Sequence, residues 1–268
     1  MTKIRNLAVV ICHGSYQTPV PYEPLIQTLQ SHGIDGYCPQ RPTSDLSRLN
    51  VGDVNHPDFD REPPAGGYPS DTGFNQDGKL VLIAAQSSGG WVATQAAVPA
   101  LQAKPRQAEG KAGGIIGLFY MGAFVIPVGE SVTTFFQPKD GTFYTPPFLR
   151  FHKHGATGLA TTVDGPRFLF NDMDPEDAEK WAAMLTASPI MTERLTNDAY
   201  LVLPCAYLVT ENDLCLAKEY QEGMITLQSQ RGADFTVYHA PSGHSPHLSW
   251  TGGVAEKMEE FVGKIWNE

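Results

Sequence analysis

A chain of 268 residues with 41% hydrophobic side chains can bury a sizeable core, which excludes a disordered protein and fits one large α/β domain or two small ones. A formal net charge of -10, with lysines and arginines scattered rather than clustered, excludes an electrostatic grip on nucleic acid or on an anionic membrane surface. No run approaches the roughly 18 apolar residues of a membrane span. Cys12, Cys38, Cys205 and Cys215 lack CxxC spacing, so reduced, structural thiols in a cytoplasmic protein are expected.

Residues 6–12 are a continuous apolar run rich in valine, as in a parallel strand covered on both faces, and they end at His13-Gly14-Ser15. Tyr22, Leu25, Ile26 and Leu29 then fall at i, i+3, i+4 and i+7, with Gly33 where a helix C-cap belongs. Residues 34–38 predict a second short strand. From 43 to 78 neither periodicity holds; a helical turn over 44–49 is predicted, with Phe59, Tyr68 and Phe74 pinning down the remainder. Residues 80–85 read as a third strand, followed by a serine between small residues, Ala85-Gln86-Ser87-Ser88-Gly89, and by a helix over about 88–101.

Residues 114–125 predict a fourth strand. The block 127–203 has a different character, with Phe135, Phe136, Phe143, Tyr144, Phe148, Phe151, Phe168 and Phe170 among prolines and glycines. Within it Asp174-Pro175-Glu176-Asp177 is a helix start, and Ala178, Trp181, Ala182 and Leu185 mark one apolar face. We expect this block to be a helical cap inserted after the fourth predicted strand, over a core made of 1–126 and 204–268. Strands at 204–210 and 234–240 alternate with helices over about 216–228 and 248–265. The alternation predicts an α/β protein with a doubly wound, mostly parallel sheet, whose sites lie at the carboxyl ends of the strands.

Ser87, Asp213 and His244 each follow a predicted parallel strand and therefore reach the same sheet edge. A nucleophile, a base and an orienting acid must converge in this way. Glu211 competes with Asp213 for the acid, and Asp213 is preferred because it lies farther into the loop. His239 within a strand and His247 at a helix start lack the loop position of His244. A tight strand-to-helix turn requires small residues around the serine, which Ala85 and Gly89 supply. The amide of Ser88 at the helix N-terminus is one expected oxyanion donor. The amide of Ser15 is the other, aimed by a turn that Gly14 permits.

Taken together, the chain resembles the α/β-hydrolase superfamily, specifically small capped fungal and bacterial members similar to plant methylester esterases and hydroxynitrile lyases. The matching pieces are Val9-Val10-Ile11-Cys12-His13-Gly14-Ser15, Gly78-Lys79-Leu80-Val81-Leu82-Ile83-Ala84 leading into Ser87-Ser88-Gly89-Gly90, Gly110-Lys111-Ala112-Gly113-Gly114, Phe170-Asn171-Asp172-Met173, Tyr207-Leu208-Val209-Thr210-Glu211-Asn212-Asp213 and Gly243-His244-Ser245-Pro246. The chain order Ser, Asp, His is that of this superfamily. Members usually carry His where Gln86 stands, a change expected to alter pocket polarity. They also carry an amphipathic helix where 60–78 is irregular.

The expectation is a serine hydrolase acting on an ester, lactone or thioester of a mid-sized apolar or aromatic small molecule. Tyr16, Gln86, Phe124, Phe135, Phe136 and Trp181 are the candidate pocket residues. No metal or organic cofactor is implied, nor a nucleic-acid or membrane partner; monomer and homodimer remain equally open. Two rivals share the site: a lyase, cyclase or isomerase, and a non-catalytic small-molecule receptor.

Overall fold

The computed structural model describes residues 6–45, Leu49, Phe59 and 78–267. Most of the irregular 43–78 stretch, including Tyr68, Phe74 and the interior of the 44–49 turn, lies outside the described residues. At its start, Pro42–Ser44 forms a 3-10 turn, and Leu49 N–H donates to the Asp45 carbonyl at 3.2 Å.

Among the described residues six strands, all parallel, form the central sheet: β1 (Leu7–Cys12), β2 (Asp35–Tyr37), β3 (Leu80–Gln86), β4 (Gly114–Met121), β8 (Cys205–Thr210) and β9 (Phe235–Ala240), in the order β2-β1-β3-β4-β8-β9. Apolar side chains of β3 point alternately to its two faces. Val81, Ile83 and Ala85 pack with Trp91 and Val92 of α2 (Gly89–Ala96) and with Met224 and Ile225 of α7 (Lys218–Gln230). Leu82 and Ala84 pack on the other face with Leu25 and Leu29 of α1 (Glu23–Ser31) and with Val254, Met258 and Phe261 of α9 (Thr251–Asn267). With each such large side chain worth on the order of 2 kcal/mol when buried, covering both faces explains why β3 reads as an uninterrupted apolar run.

Two predicted boundaries move for local reasons. The helix expected over 88–101 stops at Ala96 because Pro99 cannot donate and drives Val98 to an extended ψ of 153°; a 3-10 turn and α3 (Ala103–Ala108) follow. The fourth strand ends at Met121 rather than 125, because Gly122 takes φ 48° and turns the chain out of the sheet. At α1, Gly33 takes φ 80° and Ile34 N–H returns to the Leu29 carbonyl at 3.0 Å, closing the helix as its glycine predicts.

Residues 127–203 carry α4 (Val132–Phe136), α5 (Gly165–Phe168) and α6 (Pro175–Ala182). Beside these helices lies a small antiparallel sheet, in the order β5-β6-β7, built from Leu149–Phe151, Leu159–Thr162 and Ser188–Pro189. Helix α4 starts with a capping box in which the Ser131 hydroxyl accepts from Thr134 N–H at 3.0 Å. Cys38, Cys205 and Cys215 are free thiols. No helix among the described residues is long and apolar enough to cross a membrane.

His247, on α8 (Pro246–Ser249), is fully buried and stacks on Tyr22 with ring centroids 4.0 Å apart and an interplanar angle of 8°. Neither ring nitrogen has a hydrogen-bond partner among the described residues. Burial, and then the neighbouring His244 and His13, push its pKa down to about 3. Below pH 6.5 the unfolded chain therefore takes up a proton that the native state refuses, so the native state loses stability as pH falls toward 3. At pH 5 this residue alone should cost about 2 kcal/mol relative to pH 7.5. Urea unfolding of His247→Phe, which keeps the stack on Tyr22, should show a smaller loss between pH 7.5 and pH 5 than the unaltered chain by that amount.

Candidate active site

The pairing register brings the strand ends level. Cys12 pairs with Ala85, Gln86 with Met121 and Thr210 with Ala240, so the segments leaving β1, β3, β4, β8 and β9 all emerge at one edge. The strand order reverses between β1, which is followed by β2 on one side, and β3 on the other. A crevice at such a reversal is where doubly wound sheets bind ligands.

Between β3 and α2 there are only two residues, Ser87 and Ser88. Ser87 takes φ 53°, a left-handed conformation costly for a residue with a side chain, and its carbonyl accepts from Gly90 N–H at 3.0 Å and from Phe124 N–H at 2.9 Å. The turn is this tight because α2 begins against β1. A Cβ on Gly89 would lie 1.9 Å from the Cys12 carbonyl oxygen, and one on Gly90 would lie 2.4 Å from the Phe124 carbonyl oxygen.

Asp213 and His244 meet across the loops after β8 and β9. His244 Nδ1 and Asp213 Oδ2 are 2.8 Å apart, with both side chains buried. The carboxylate accepts further bonds: Oδ2 from Thr210 Oγ1 at 2.9 Å, and Oδ1 from the amides of Cys215 and Leu216, each at 2.8 Å. Because Oδ2 can only accept, the Nδ1 of His244 carries the proton, which leaves Nε2 as the basic nitrogen. Burial pulls the pKa of His244 down, but the charge of Asp213 and its hydrogen bond, together with the neighbouring Cys215, raise it well above 6.5. The Cys215 thiol lies against the same imidazole and is kept protonated by burial. Glu211 points elsewhere, pairing at the surface with Lys218 and His239.

On the β1 side the structure corrects the role expected of Gly14. Gly14 does not have a positive φ; Tyr16 does, at 66°. What Gly14 supplies is room, since a Cβ there would meet Gln86 Oε1 at 2.3 Å and Ser87 Cβ at 3.2 Å. Its amide donates to Tyr22 Oη at 3.0 Å, and Ser15 Oγ donates to Ser88 Oγ at 2.8 Å.

Gln86 has a structural role besides lining the cavity. Its side chain lines the cavity yet is fully buried, and Nε2 donates to the His244 carbonyl at 2.8 Å, while Oε1 accepts from Tyr22 Oη at 3.0 Å. Gln17 Oε1 lies within reach of the same hydroxyl, whose one proton is shared between the two amide oxygens. Gln86 therefore ties the His244 loop to the exit of β1. No single-residue signal announces this, because the tie spans 158 positions of sequence.

Ser87, His244, Ser15 and Ser88 line one cavity of about 600 Å³, within the range of small-molecule sites. Of the candidate pocket residues, Tyr16, Gln86, Phe124 and Phe136 line it, and Phe135 and Trp181 do not. Consecutive helical residues diverge by about 100°. With Phe136 facing the cavity, Phe135 turns away and meets the Phe136 ring edge-on at 5.0 Å. Trp181 packs instead with Leu169, Phe170 and Ala178 inside the inserted segment. Phe143, Tyr144, Phe148 and Phe151 from that segment, with Leu214 and Tyr220 from the core side, complete the apolar wall. No Lys, Arg, Asp or Glu is among the described lining residues, and no cluster of three or more His, Cys, Asp or Glu suited to a metal ion occurs among the described residues.

The model of the alpha/beta hydrolase family matches residues 9–257. An alpha/beta hydrolase, nvfD, from Aspergillus novofumigatus (strain IBT 16806) is 23% identical over 268 residues, covering 96% of this chain and 97% of that protein. Among solved structures, a pyrethroid hydrolase from Sphingobium faniae JZ-2 superposes with a TM-score of 0.65 at 17% identity, over 96% of this chain and 97% of that one. Polyneuridine aldehyde esterase superposes with a TM-score of 0.67 at 17% identity, over 96% of this chain and 100% of that one. At these identities the two structural likenesses are likenesses of fold.

Gly89→Ala should force α2 off β1 and destabilise the protein by about 3 kcal/mol, the upper end of the usual overpacking cost. Gly223→Ala within α7, where a Cβ would meet nothing within 4 Å, should leave the denaturation midpoint unchanged or raise it. Chemical denaturation of the two variants side by side checks both.

Proposed function

The chain belongs to the alpha/beta hydrolase family, and we propose that it is a serine hydrolase cleaving an ester, lactone or thioester of a mid-sized, uncharged, apolar or aromatic small molecule. The observation that carries this reading is that the imidazole of a buried carboxylate–imidazole pair and a left-handed serine border one apolar cavity. Residues 127–203 act as its cap, supplying Phe136, Phe143, Tyr144, Phe148 and Phe151 to the wall.

In this proposal Ser87 Oγ attacks the acyl carbon as His244 Nε2 takes its proton. The carbonyl oxygen becomes an oxyanion held by the amides of Ser15 and Ser88. Collapse expels the alcohol or thiol, which takes the proton from His244, and leaves the acyl group on Ser87. Water then attacks the acyl-enzyme with His244 again as base, releasing the carboxylic acid and restoring the serine. Asp213 holds the imidazole in the Nδ1–H tautomer and stabilises it when charged. An apolar wall without charged residues among those described suits a neutral ligand, because a charged one would lose its hydration without gaining a partner.

A chromogenic ester such as 4-nitrophenyl butyrate should give a burst of nitrophenol, and a fluorophosphonate probe should label Ser87. Ser87→Ala should abolish the burst and lower kcat by about 10⁴-fold or more; retained activity in that variant rules the mechanism out. Incubation with metabolite mixtures, followed by mass spectrometry, should show addition of water rather than rearrangement.

The pH profile provides a second test. Only neutral His244 can accept the serine proton, so kcat/KM should rise with pH and reach half its maximum above pH 6.5. Asp213→Asn should move that limb to lower pH while reducing kcat by about 10⁴-fold.

A further inference from the structure

Arg41 is 5% exposed, follows β2 and does not line the cavity. From there it reaches across the ends of two strands. Its backbone N–H donates to His13 Nε2 at 3.2 Å, and its Nη1 donates to the His13 carbonyl at 2.6 Å. The same Nη1 donates to Ser88 Oγ at 3.2 Å. Because His13 Nε2 accepts from an amide, the proton of that ring is on Nδ1, which donates to the Gly14 carbonyl at 2.8 Å.

One guanidinium therefore grips the segment that carries the Ser15 amide and, through its hydroxyl, the residue that carries the Ser88 amide. Ser15 Oγ closes the loop by donating to the same Ser88 oxygen. We propose that Arg41 is a positioning residue for the oxyanion site: it holds the β1 exit and the α2 entrance at the separation at which both amides address one oxygen. This inference rests on the serine hydrolase reading of the same cavity.

Beside Arg41, the Ser15–Ser88 hydroxyl bond joins the same two segments, but it is a single bond between two short side chains. Gly89 sets how near α2 can come to β1, but not how far it can draw away. Arg41 is a planar donor fixed at its base by its own backbone bond to His13, and it can hold both partners with one nitrogen. A lysine there presents a single flexible ammonium that can reach one partner well or both poorly.

The test is steady-state hydrolysis of 4-nitrophenyl butyrate, together with inhibition by phenylboronic acid, whose tetrahedral adduct with a serine places an oxygen where the oxyanion forms. Arg41→Lys and Arg41→Met should lower kcat about tenfold and about a hundredfold, with KM within about twofold, and should weaken phenylboronic acid by factors parallel to those in kcat. Ser88→Ala keeps the amide but removes the hydroxyl that Arg41 grips; it should lower kcat as well. In the Ser88→Ala background Arg41→Lys should cost much less than it does alone.

Arg41 variants that are folded by circular dichroism and retain kcat within twofold overturn the inference. So does a rise in KM at constant kcat, or a loss of kcat with phenylboronic acid affinity unchanged. Should both Arg41 variants fail to fold, Ser88→Ala decides, and unchanged kcat and phenylboronic acid affinity there overturn the inference too. If the unaltered protein neither turns over the ester nor binds phenylboronic acid, the hydrolase reading itself fails and this inference falls with it.

Discussion

The site depends on how closely one helix may approach one strand. With a hydrogen in place of a side chain at Gly89, the first turn of α2 lies directly against the last carbonyl of β1. The two-residue link from β3 then has no relaxed path, and Ser87 is driven to φ 53°. Such a conformation costs on the order of 1 to 2 kcal/mol for a residue with a side chain. It persists because the surroundings over-determine it, with two amides holding the Ser87 carbonyl and the sheet pairing of β3 running up to Gln86. The same geometry sets Ser88, at the N-terminus of α2 with its positive dipole end, against the cavity.

Around this turn lies a set of buried polar groups that couples three parts of the chain. Tyr22 meets the Gly14 amide, Gln17 and Gln86, and Gln86 meets the His244 backbone. Asp213 is satisfied by Thr210, two amides and His244. Each bond has a modest net value, yet leaving any of these buried groups without its partner costs about 1 to 3 kcal/mol, so the set holds as a unit. His247 departs from the pattern. It is tolerated as an apolar plate on Tyr22, at the expense of stability in acid.

The parts legible in the sequence are those where cause and effect are close along the chain. Strands β1, β3 and β8 announce themselves by apolar runs, and α1 by its apolar spacing and terminal glycine. Residues that leave neighbouring parallel strands must share an edge, so the strand pattern alone sends Ser87, Asp213 and His244 to the same end of the sheet. The illegible parts are of two kinds. Arg41 reaches partners 28 and 47 positions away, and Gln86 one 158 positions away, and nothing local marks such contacts. The other kind is brevity. Strands of two to four residues, as in β5, β6 and β7, have no room to show alternation, and a five-residue helix cannot reveal which of Phe135 and Phe136 faces inward.

Gln86 carries a consequence of its own. An amide offers a donor and an acceptor at once and gains or loses no proton in the pH range of a living cell. A histidine in its place would have to choose a tautomer to serve Tyr22 and the His244 carbonyl, and would set a second titrating ring beside His244. With glutamine there, the scaffold that holds His244 is electrically silent. The protonation of His244 can then change without its mount changing in response.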